Sequence, residues 1–298
     1  MTSPSSRRTV LVTGATGNQG GAVARLLLRK SHSVRALTRN PGSTAAAELK
    51  RLGAGIMQGS LENRADLEKA AAGVDAIFAM STPFESGIQA EVTQGRNLAD
   101  VAKASGAHLV YTSVIAANRA TGIPHFDSKW KVEQYIESLG PRHSVIAPAY
   151  FMENLRTLTA EPLKMHRTIA VPLSPRAPLP QIALADIASM AVIAIEQPER
   201  IPGRRDIAGD ILTGEESAAI LSRVTGQPIT YTPVPIDAVR AQSDDLAIMF
   251  EYFEQNRATV DLDALRRDFP EAGWHSFEQW ARAQDWSELI QSASVRSG

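Results

Sequence analysis

Three glycines near the start of the chain constrain its fold more than any other feature. The apolar run Val10–Val12 leads directly into Gly14, Gly17 and Gly20, and a helical pattern of apolar residues follows. In this arrangement the first glycine permits a tight turn, the second leaves room for a pyrophosphate, and the third lets the helix lie close to the strand. The N–H groups that open the helix then face the phosphates. A glycine-rich turn without a ligand is the alternative.

This segment is therefore predicted to be a phosphate-binding loop between a strand and a helix. We call it the phosphate loop, and it consists of Gly14, Ala15, Thr16, Gly17, Asn18, Gln19 and Gly20. Because it opens a β-α-β pattern, its predicted ligand is an adenine dinucleotide.

The residue after the second predicted strand favours one coenzyme. The strand is predicted over Ser33–Thr38, and Arg39 follows it, with no acidic residue before Glu48. Folds that prefer NAD place an acidic residue here to hold the ribose 2′-hydroxyl, whereas a guanidinium matches a phosphate in charge and geometry. The sequence thus favours NADP(H), and a solvated loop arginine is the alternative.

The alternation of short apolar runs with helical patterns predicts an α/β fold. Strands and helices alternate through the first half of the chain, which is typical of a Rossmann-type, doubly wound parallel sheet. Proline and loop residues become frequent after Pro148, which predicts a smaller α+β C-terminal lobe. We expect a disordered leader over residues 1–8, an NADP(H)-binding domain over 9–155 and the lobe over 156–298, with part of the lobe returning to the sheet.

Aromatic residues cluster near the end of the chain. Trp274, Phe277, Trp280 and Trp286 follow mainly helical spacing. This pattern predicts one face of a docked C-terminal helix, in preference to a substrate cage.

Composition excludes several classes of function. The 298 residues carry a formal net charge of −1 and no dense stripe of Lys or Arg, which argues against direct nucleic-acid binding. The absence of cysteine excludes disulfides, thiolate nucleophiles and sulfur-based zinc sites, and no metal site is predicted. The longest apolar stretch, residues 187–195, is too short to span a bilayer. We expect a cytoplasmic protein without a membrane partner.

Four segments together resemble one family. They are the phosphate loop, Thr38–Pro41, His125–Lys129 and Pro148–Asn154. In these motifs the chain resembles the NmrA-like proteins, which are atypical members of the short-chain dehydrogenase/reductase superfamily, and within them a subgroup that contains an NADPH sensor. The similarity runs almost from end to end. It implies a Rossmann-type NADP(H) domain with a small C-terminal lobe.

The resemblance also implies roles for further residues. Lys129 is expected at the nicotinamide ribose, and Phe84 is expected to border the nicotinamide pocket. Ser60 stands where relatives carry an aspartate against the adenine. The remaining residues expected to contact the coenzyme are Gly59, Ser81, Thr82, Pro83, Tyr150, Phe151 and Asn154.

One departure from the superfamily bears on catalysis. Ordinary short-chain dehydrogenases carry a tyrosine four residues before the lysine, whose charge lowers the pKa of the phenol so that it can pass a proton. Here Lys129 is present but His125 occupies the tyrosine position. His125 is predicted either to donate a proton or to start the helix. Ser113, at the end of the fifth predicted strand, either polarises a substrate carbonyl or is an ordinary turn serine.

Two functions from different classes follow from these observations. The first is an NADPH-dependent reductase of a small carbonyl or conjugated compound, because isoflavone-reductase-like and triphenylmethane-reductase-like relatives work without the standard pair. The second is a non-catalytic NADPH/NADP redox sensor that acts through a regulatory protein partner, which the missing tyrosine favours. The chain is expected to be a monomer or a homodimer.

Overall fold

The computed structural model describes residues 7–290, and these residues form two units. The first unit contains the chain up to Pro148 together with Leu184–Ile207, and the second contains Ala149–Ala183 and the chain from Ala208 onward. Of the predicted leader, residues 1–6 lie outside the described residues, as do the last eight residues of the predicted lobe.

The regular elements are as follows. The strands are β1 (Thr9–Val12), β2 (Ser33–Thr38), β3 (Gly55–Gln58), β4 (Ala76–Ala79), β5 (His108–Thr112), β6 (His143–Pro148), β7 (Tyr150–Phe151), β8 (Thr168–Val171), β9 (Leu179–Ile182), β10 (Gly203–Ile207), β11 (Asp210–Leu212) and β12 (Thr230–Pro233). The α-helices are α1 (Asn18–Arg29), α2 (Thr44–Arg51), α3 (Arg64–Ala71), α4 (Pro83–Ser105), α5 (Pro124–Leu139), α6 (Ala160–His166), α7 (Leu184–Glu196), α8 (Gly214–Thr225), α9 (Ile236–Arg240), α10 (Asp244–Glu254), α11 (Leu262–Asp268) and α12 (Phe277–Arg282).

The first unit is built on a seven-stranded parallel sheet. Its strand order is β3-β2-β1-β4-β5-β6-β10, so the order reverses between β1 and β4, as in a doubly wound fold. The central strands β1, β4 and β5 are mostly apolar and almost entirely buried, because helices cover both faces of such a sheet. The predicted α/β fold class is confirmed. β10, from the later part of the chain, pairs with β6.

Two helices of this unit begin at a proline near the site. α5 begins at Pro124, because proline is favoured in the first turn of a helix, where no N–H bond is lost. His125 therefore lies in a helix. α4 begins at Pro83, with Thr82 as its cap, and Gly87 interrupts it at φ 84°.

The second unit contains two small sheets. β7, β9 and β11 form one, and β8 pairs with β12 in the other. The prediction of one aromatic helix face near the end of the chain is wrong, because α12 covers only Phe277–Arg282. Trp274 and Trp286 lie outside it, although the Trp286 ring still contacts Trp280 edge to face at 5.8 Å. A turn after α12, and not helical periodicity, brings these two rings together.

Within residues 7–290, none of the helices combines the length and the apolar character that crossing a membrane requires.

Candidate functional site

The phosphate loop has the geometry that its glycines predict. Gly14 has φ +60°, and a side chain at this position would also meet Met80. A Cβ on Gly20 would lie 2.4 Å from the carbonyl oxygen of Gly14, so α1 approaches the loop as closely as the prediction requires. The fold itself therefore demands glycine at both positions.

Gly17 differs from the other two glycines. It has φ −95°, which any residue adopts, and an added Cβ would come no closer than 3.4 Å to a protein atom. It is the N-cap of α1, where free backbone N–H groups point outward. None of residues 7–290 requires glycine at this position, so the open space above Gly17 is a cradle that a side chain would fill. The loop therefore fits a pyrophosphate.

The loop borders a large cavity at the carboxyl ends of β1 to β4. The cavity contains about 1120 Å³ of space, part of it open to solvent, which is enough for the adenosine half of a dinucleotide. The predicted coenzyme-binding residues that line it are Gly14, Thr16, Gly17, Arg39, Gly59, Ser60 and Thr82. The structure thus brings together residues from four loops at the strand-order reversal, where ligands of doubly wound sheets bind.

Arg39 lies on this cavity with an acidic neighbour that the sequence did not reveal. Its Nη2 is 2.7 Å from Oε2 of Glu85, which comes from the first turn of α4. Both side chains are more than half exposed. Because Glu85 is 46 residues away in the chain, only the fold brings it to Arg39.

The turn after β3 is built without an acid at position 60. The Ser60 N–H donates to Oδ2 of Asp66 at 3.1 Å, and the Ser60 hydroxyl accepts from the N–H of Glu62 at 3.2 Å. A Cβ on Gly59 would lie 2.8 Å from the Asp66 side chain. Gly59 and Ser60 therefore shape the cavity wall, and the carboxylate of this turn belongs to α3.

The Gln19 side chain of the phosphate loop points into the protein. It is buried, and its amide donates to Oγ1 of Thr112 at 2.8 Å, which attaches the start of α1 to the end of β5. Ala15 is also buried and Asn18 is exposed. These three residues of the loop do not line the cavity.

Lys129 lies between the ends of β4 and β5. Its Nζ is 2.7 Å from Oε1 of Glu91 and donates to the carbonyl oxygen of Ser81 at 3.1 Å. It also lies 5.9 Å from the centroid of the Tyr111 ring. The ion pair with Glu91 and the hydrogen bond to Ser81 together fix the position of the charge.

Glu91 is a fully buried carboxylate that the sequence analysis missed. It pairs with Lys129 and accepts a hydrogen bond from the Ser128 hydroxyl. The helices carrying these residues approach each other closely at Gly95. A Cβ at this position would lie only 2.5 Å from the Val132 side chain, so a larger residue would not fit. Gly95, one turn after Glu91, was the available sequence signal for close contact between α4 and α5.

Tyr111 does not replace the missing tyrosine. Its ring is completely buried, and its hydroxyl lies 3.1 Å from Oγ of Ser81. Burial, with the nearby charge of Glu91, raises the pKa of this phenol well above 10. Tyr111 therefore remains protonated and acts as a structural contact beside Lys129.

His125 is held among aromatic rings. It is 5% exposed, and its ring centroid is 5.8 Å from that of Phe84 and 4.7 Å from that of Phe126. His125 lies one turn before Lys129 on α5, so both residues lie near the N-terminal end of the helix. Pro83 and Thr82 fix the start of the helix that carries Phe84.

The Ser113 side chain belongs to a buried charged cluster. Its hydroxyl donates to Glu133, which also pairs with Arg204 of β10. Arg204 in turn lies 2.7 Å from Oδ1 of Asp206 and donates to the carbonyl oxygen of Val114. Burial raises the pKa of Glu133, and Arg204 opposes that rise. The hydroxyl hydrogen is therefore directed at Glu133; the predicted contact with a substrate carbonyl would need this hydrogen to turn away.

The other predicted contacts lie in the second unit. Tyr150 and Phe151 form β7 beside β9, and the Tyr150 ring is 6.3 Å from that of Phe250. The Tyr150 hydroxyl bonds to the side chain of Asn154, and burial raises its pKa to about 12. Tyr150 lines a mostly apolar cavity formed within that unit.

Residues 7–290 contain no cluster of three His, Asp or Glu side chains that could hold a metal ion. The buried carboxylates Glu91 and Glu133 pair instead with Lys129 and Arg204.

Comparisons with known proteins agree with this architecture. Residues 6–281 match the model of the NmrA-like family. The NmrA-like family domain-containing oxidoreductase FrzB of Cladobotryum sp is 31% identical over 76% of this chain and 76% of its own length. The NAD(P)H azoreductase of Xenophilus azovorans is 29% identical over 78% of this chain and 79% of its own.

A solved structure has the same fold at lower identity. It is NmrA, a negative transcriptional regulator, in complex with NADP, with a TM-score of 0.76 and 21% identity. The match covers 93% of this chain and 95% of that one.

Proposed function

The chain belongs to the NmrA-like family, and from that premise we propose that it binds NADP(H) at the phosphate loop and reduces a small carbonyl or conjugated organic compound. The open cradle above Gly17 is the observation that carries the proposal, because the protein gains nothing from glycine there unless a ligand approaches the backbone. Several relatives are named as oxidoreductases or reductases, which supports a redox function.

Arg39 supports the phosphorylated coenzyme. Its guanidinium lies on the cavity wall at the end of β2, where the 2′ position of an adenosine ribose falls in this fold. A guanidinium binds phosphate through two parallel hydrogen bonds. Arg39 is exposed, so it can turn to a phosphate at small cost.

Lys129 acts in this proposal as a positioned donor and not as an unpaired charge. Glu91 compensates its charge, and the Ser81 carbonyl accepts a hydrogen bond from it, so the ammonium keeps an N–H for a ribose hydroxyl. The nicotinamide supplies the hydride when the coenzyme is bound. The compensated lysine also has no phenol to activate, which separates this site from the tyrosine-lysine pair of ordinary relatives.

We assign the proton of the reduction to His125. An imidazole exchanges protons near neutral pH, and His125 belongs to the same end of α5 as Lys129. Ser113 is the weaker candidate, because its hydrogen is directed at Glu133. A bound water is the third candidate.

The test is NADPH oxidation, followed by absorbance, with quinones, enones, imines and an azo dye. Steady turnover with one of them is expected, and His125→Phe, which preserves the aromatic packing, should lower kcat at least about tenfold while NADPH affinity stays within twofold. His166→Phe, at an exposed histidine in the second unit, is the control. Full activity in His125→Phe would remove the assigned role.

A redox sensor is the second candidate, favoured by the missing tyrosine and by the compensated charge of Lys129. A sensor must respond differently to the two oxidation states of the coenzyme. It therefore predicts no turnover across the panel, together with a protease digestion pattern that differs between NADPH and NADP. Identical patterns with both coenzymes would exclude it.

A further inference from the structure

We infer that Glu85 determines, together with Arg39, how strongly the cavity prefers the phosphorylated dinucleotide. Its carboxylate opposes a 2′-phosphate at Arg39 and accepts a hydrogen bond from the ribose hydroxyl of the unphosphorylated form. This inference rests on the proposed binding of a dinucleotide to the phosphate loop.

The two side chains meet on the wall of the cavity. Oε2 of Glu85 lies 2.7 Å from Nη2 of Arg39, and both residues line the cavity with Ser60 and Thr82. A group bound by Arg39 at this position is therefore next to the carboxylate of Glu85. The sequence after β2 contains Arg39 but no acidic residue before Glu48, so it reveals only one of the two charged side chains that meet here.

The backbone fixes the side of the cavity on which Glu85 stands. Pro83 occupies the first turn of α4, and the Thr82 hydroxyl accepts from the N–H of Phe84 at 3.3 Å. This capped turn holds Glu85 at the end of β4, opposite the end of β2 across β1. The sheet order thus places an acid where the sequence after β2 lacks one.

The charges decide the direction of the effect. A phosphate monoester carries between one and two negative charges near neutral pH. At about 4 Å each unit of repulsion from Glu85 lowers its affinity roughly fivefold in water. A ribose hydroxyl instead donates to a carboxylate, which is the role of the acidic residue in folds that prefer NAD. Glu85 therefore weakens one coenzyme and strengthens the other.

Another carboxylate on the cavity provides a matched control. Glu62 lines the same cavity, but its Oε1 accepts from Nε2 of Gln94 at 3.3 Å and has no ion pair with Arg39. Glu62→Gln changes the charge of the cavity by the same amount as Glu85→Gln. It is expected to shift the affinities for both coenzymes in the same direction, because both carry the pyrophosphate.

The experiment measures the dissociation constants of NADPH and NADH for the full chain by the fluorescence of the reduced coenzymes. Glu85→Gln should tighten NADPH at least threefold and weaken NADH at least threefold, so their ratio changes about tenfold or more. In Glu62→Gln this ratio should stay within threefold. Glu85 is exposed, so its replacement should leave folding intact.

Arg39→Gln separates this inference from the proposed function. If Arg39→Gln weakens NADPH but Glu85→Gln leaves the ratio within twofold of the unmodified chain, the role of Glu85 is refuted and the binding site stands. An equal shift of the ratio in Glu62→Gln would also refute it, because the effect would then be a general one of charge. If the unmodified chain binds neither coenzyme, the proposed function fails, and the role of Glu85 fails with it.

Discussion

Two polar regions of the first unit differ in how their side chains are used. The cavity region contains the phosphate loop with Arg39, Ser60 and Glu85, and its charged groups face open space. The helix region lies between α4, α5 and β10 and contains Glu91, Ser113, Lys129, Glu133 and Arg204, all of them buried or nearly so. Both lie along the same parallel sheet.

The two regions differ in whether their charged side chains can exchange their present contacts for contacts with a ligand. An exposed ion pair contributes little to stability, so the cavity region can exchange its contacts for those of a coenzyme. Buried charges are costly unless each has its partner, so the helix region is fixed by internal pairs before any ligand arrives. We therefore expect changes in the cavity region to alter binding, and changes in the helix region to alter stability.

Gly17→Val tests the cavity region with the largest expected effect. The backbone accepts a side chain here without a clash, but the side chain fills the cradle above the loop. NADPH affinity should fall roughly 1,000-fold, about 4 kcal/mol, while the melting temperature stays within a few degrees. Coenzyme fluorescence and thermal unfolding measure the two quantities.

Gly20→Val is the matched comparison for that variant. Its side chain would meet the Gly14 carbonyl, so this change should destabilise the fold itself. If Gly17→Val bound NADPH like the unmodified chain, the phosphate loop would not be the coenzyme site.

Glu91→Gln tests the helix region. It leaves the Lys129 charge buried without its anionic partner, so the free energy of unfolding should fall by about 3 kcal/mol. Urea unfolding followed by circular dichroism measures the loss. Glu68→Gln, in the exposed pair of Glu68 with Arg64, should cost less than about 1 kcal/mol. Equal losses in the two variants would remove the distinction between the regions.

The pH dependence of stability extends the test to another buried polar group of the sheet. His108, in β5, is 4% exposed and its Nε2 lies 3.0 Å from Oγ of Ser144. Burial, helped by the nearby charge of Arg142, lowers the pKa of His108 from 6.5 to about 4. Between these values the unfolded chain binds the proton and the folded chain does not.

Protonation of His108 in the unfolded chain should therefore leave the free energy of unfolding unchanged well above pH 6.5 and lower it as the pH drops towards 4. From pH 7.5 to pH 5.0 the His108 contribution to this loss is about 2 kcal/mol. His108→Asn should remove that part of the pH dependence, whereas His166→Asn, at an exposed site, should keep it. If His108→Asn lost as much stability between the two pH values as the unmodified chain, measured by urea unfolding, the assigned pKa would be contradicted.

Local features of the two regions could be predicted from the sequence, whereas contacts between distant residues could not. The phosphate loop could be predicted because its three glycines act over seven residues, and the backbone conformation they permit is local. The α/β fold class followed from the alternation of strands and helices. Arg39 was identified for the same reason, since it directly follows a strand.

The partners of the candidate side chains could not be predicted. Glu91 meets Lys129 across 38 residues, and Arg204 meets Glu133 across 71. Both pairs depend on how helices and strands pack, which periodicity alone does not specify. Glu85 was missed for the same reason, although it stands only two residues after Pro83.

Calorimetric titration of the unmodified chain with NADPH and NADH tests the central claim most directly. The account predicts saturable binding of one NADPH per chain, with a higher affinity for NADPH than for NADH. No heat with either coenzyme would contradict it, because the open backbone above Gly17 would then have no ligand to accommodate.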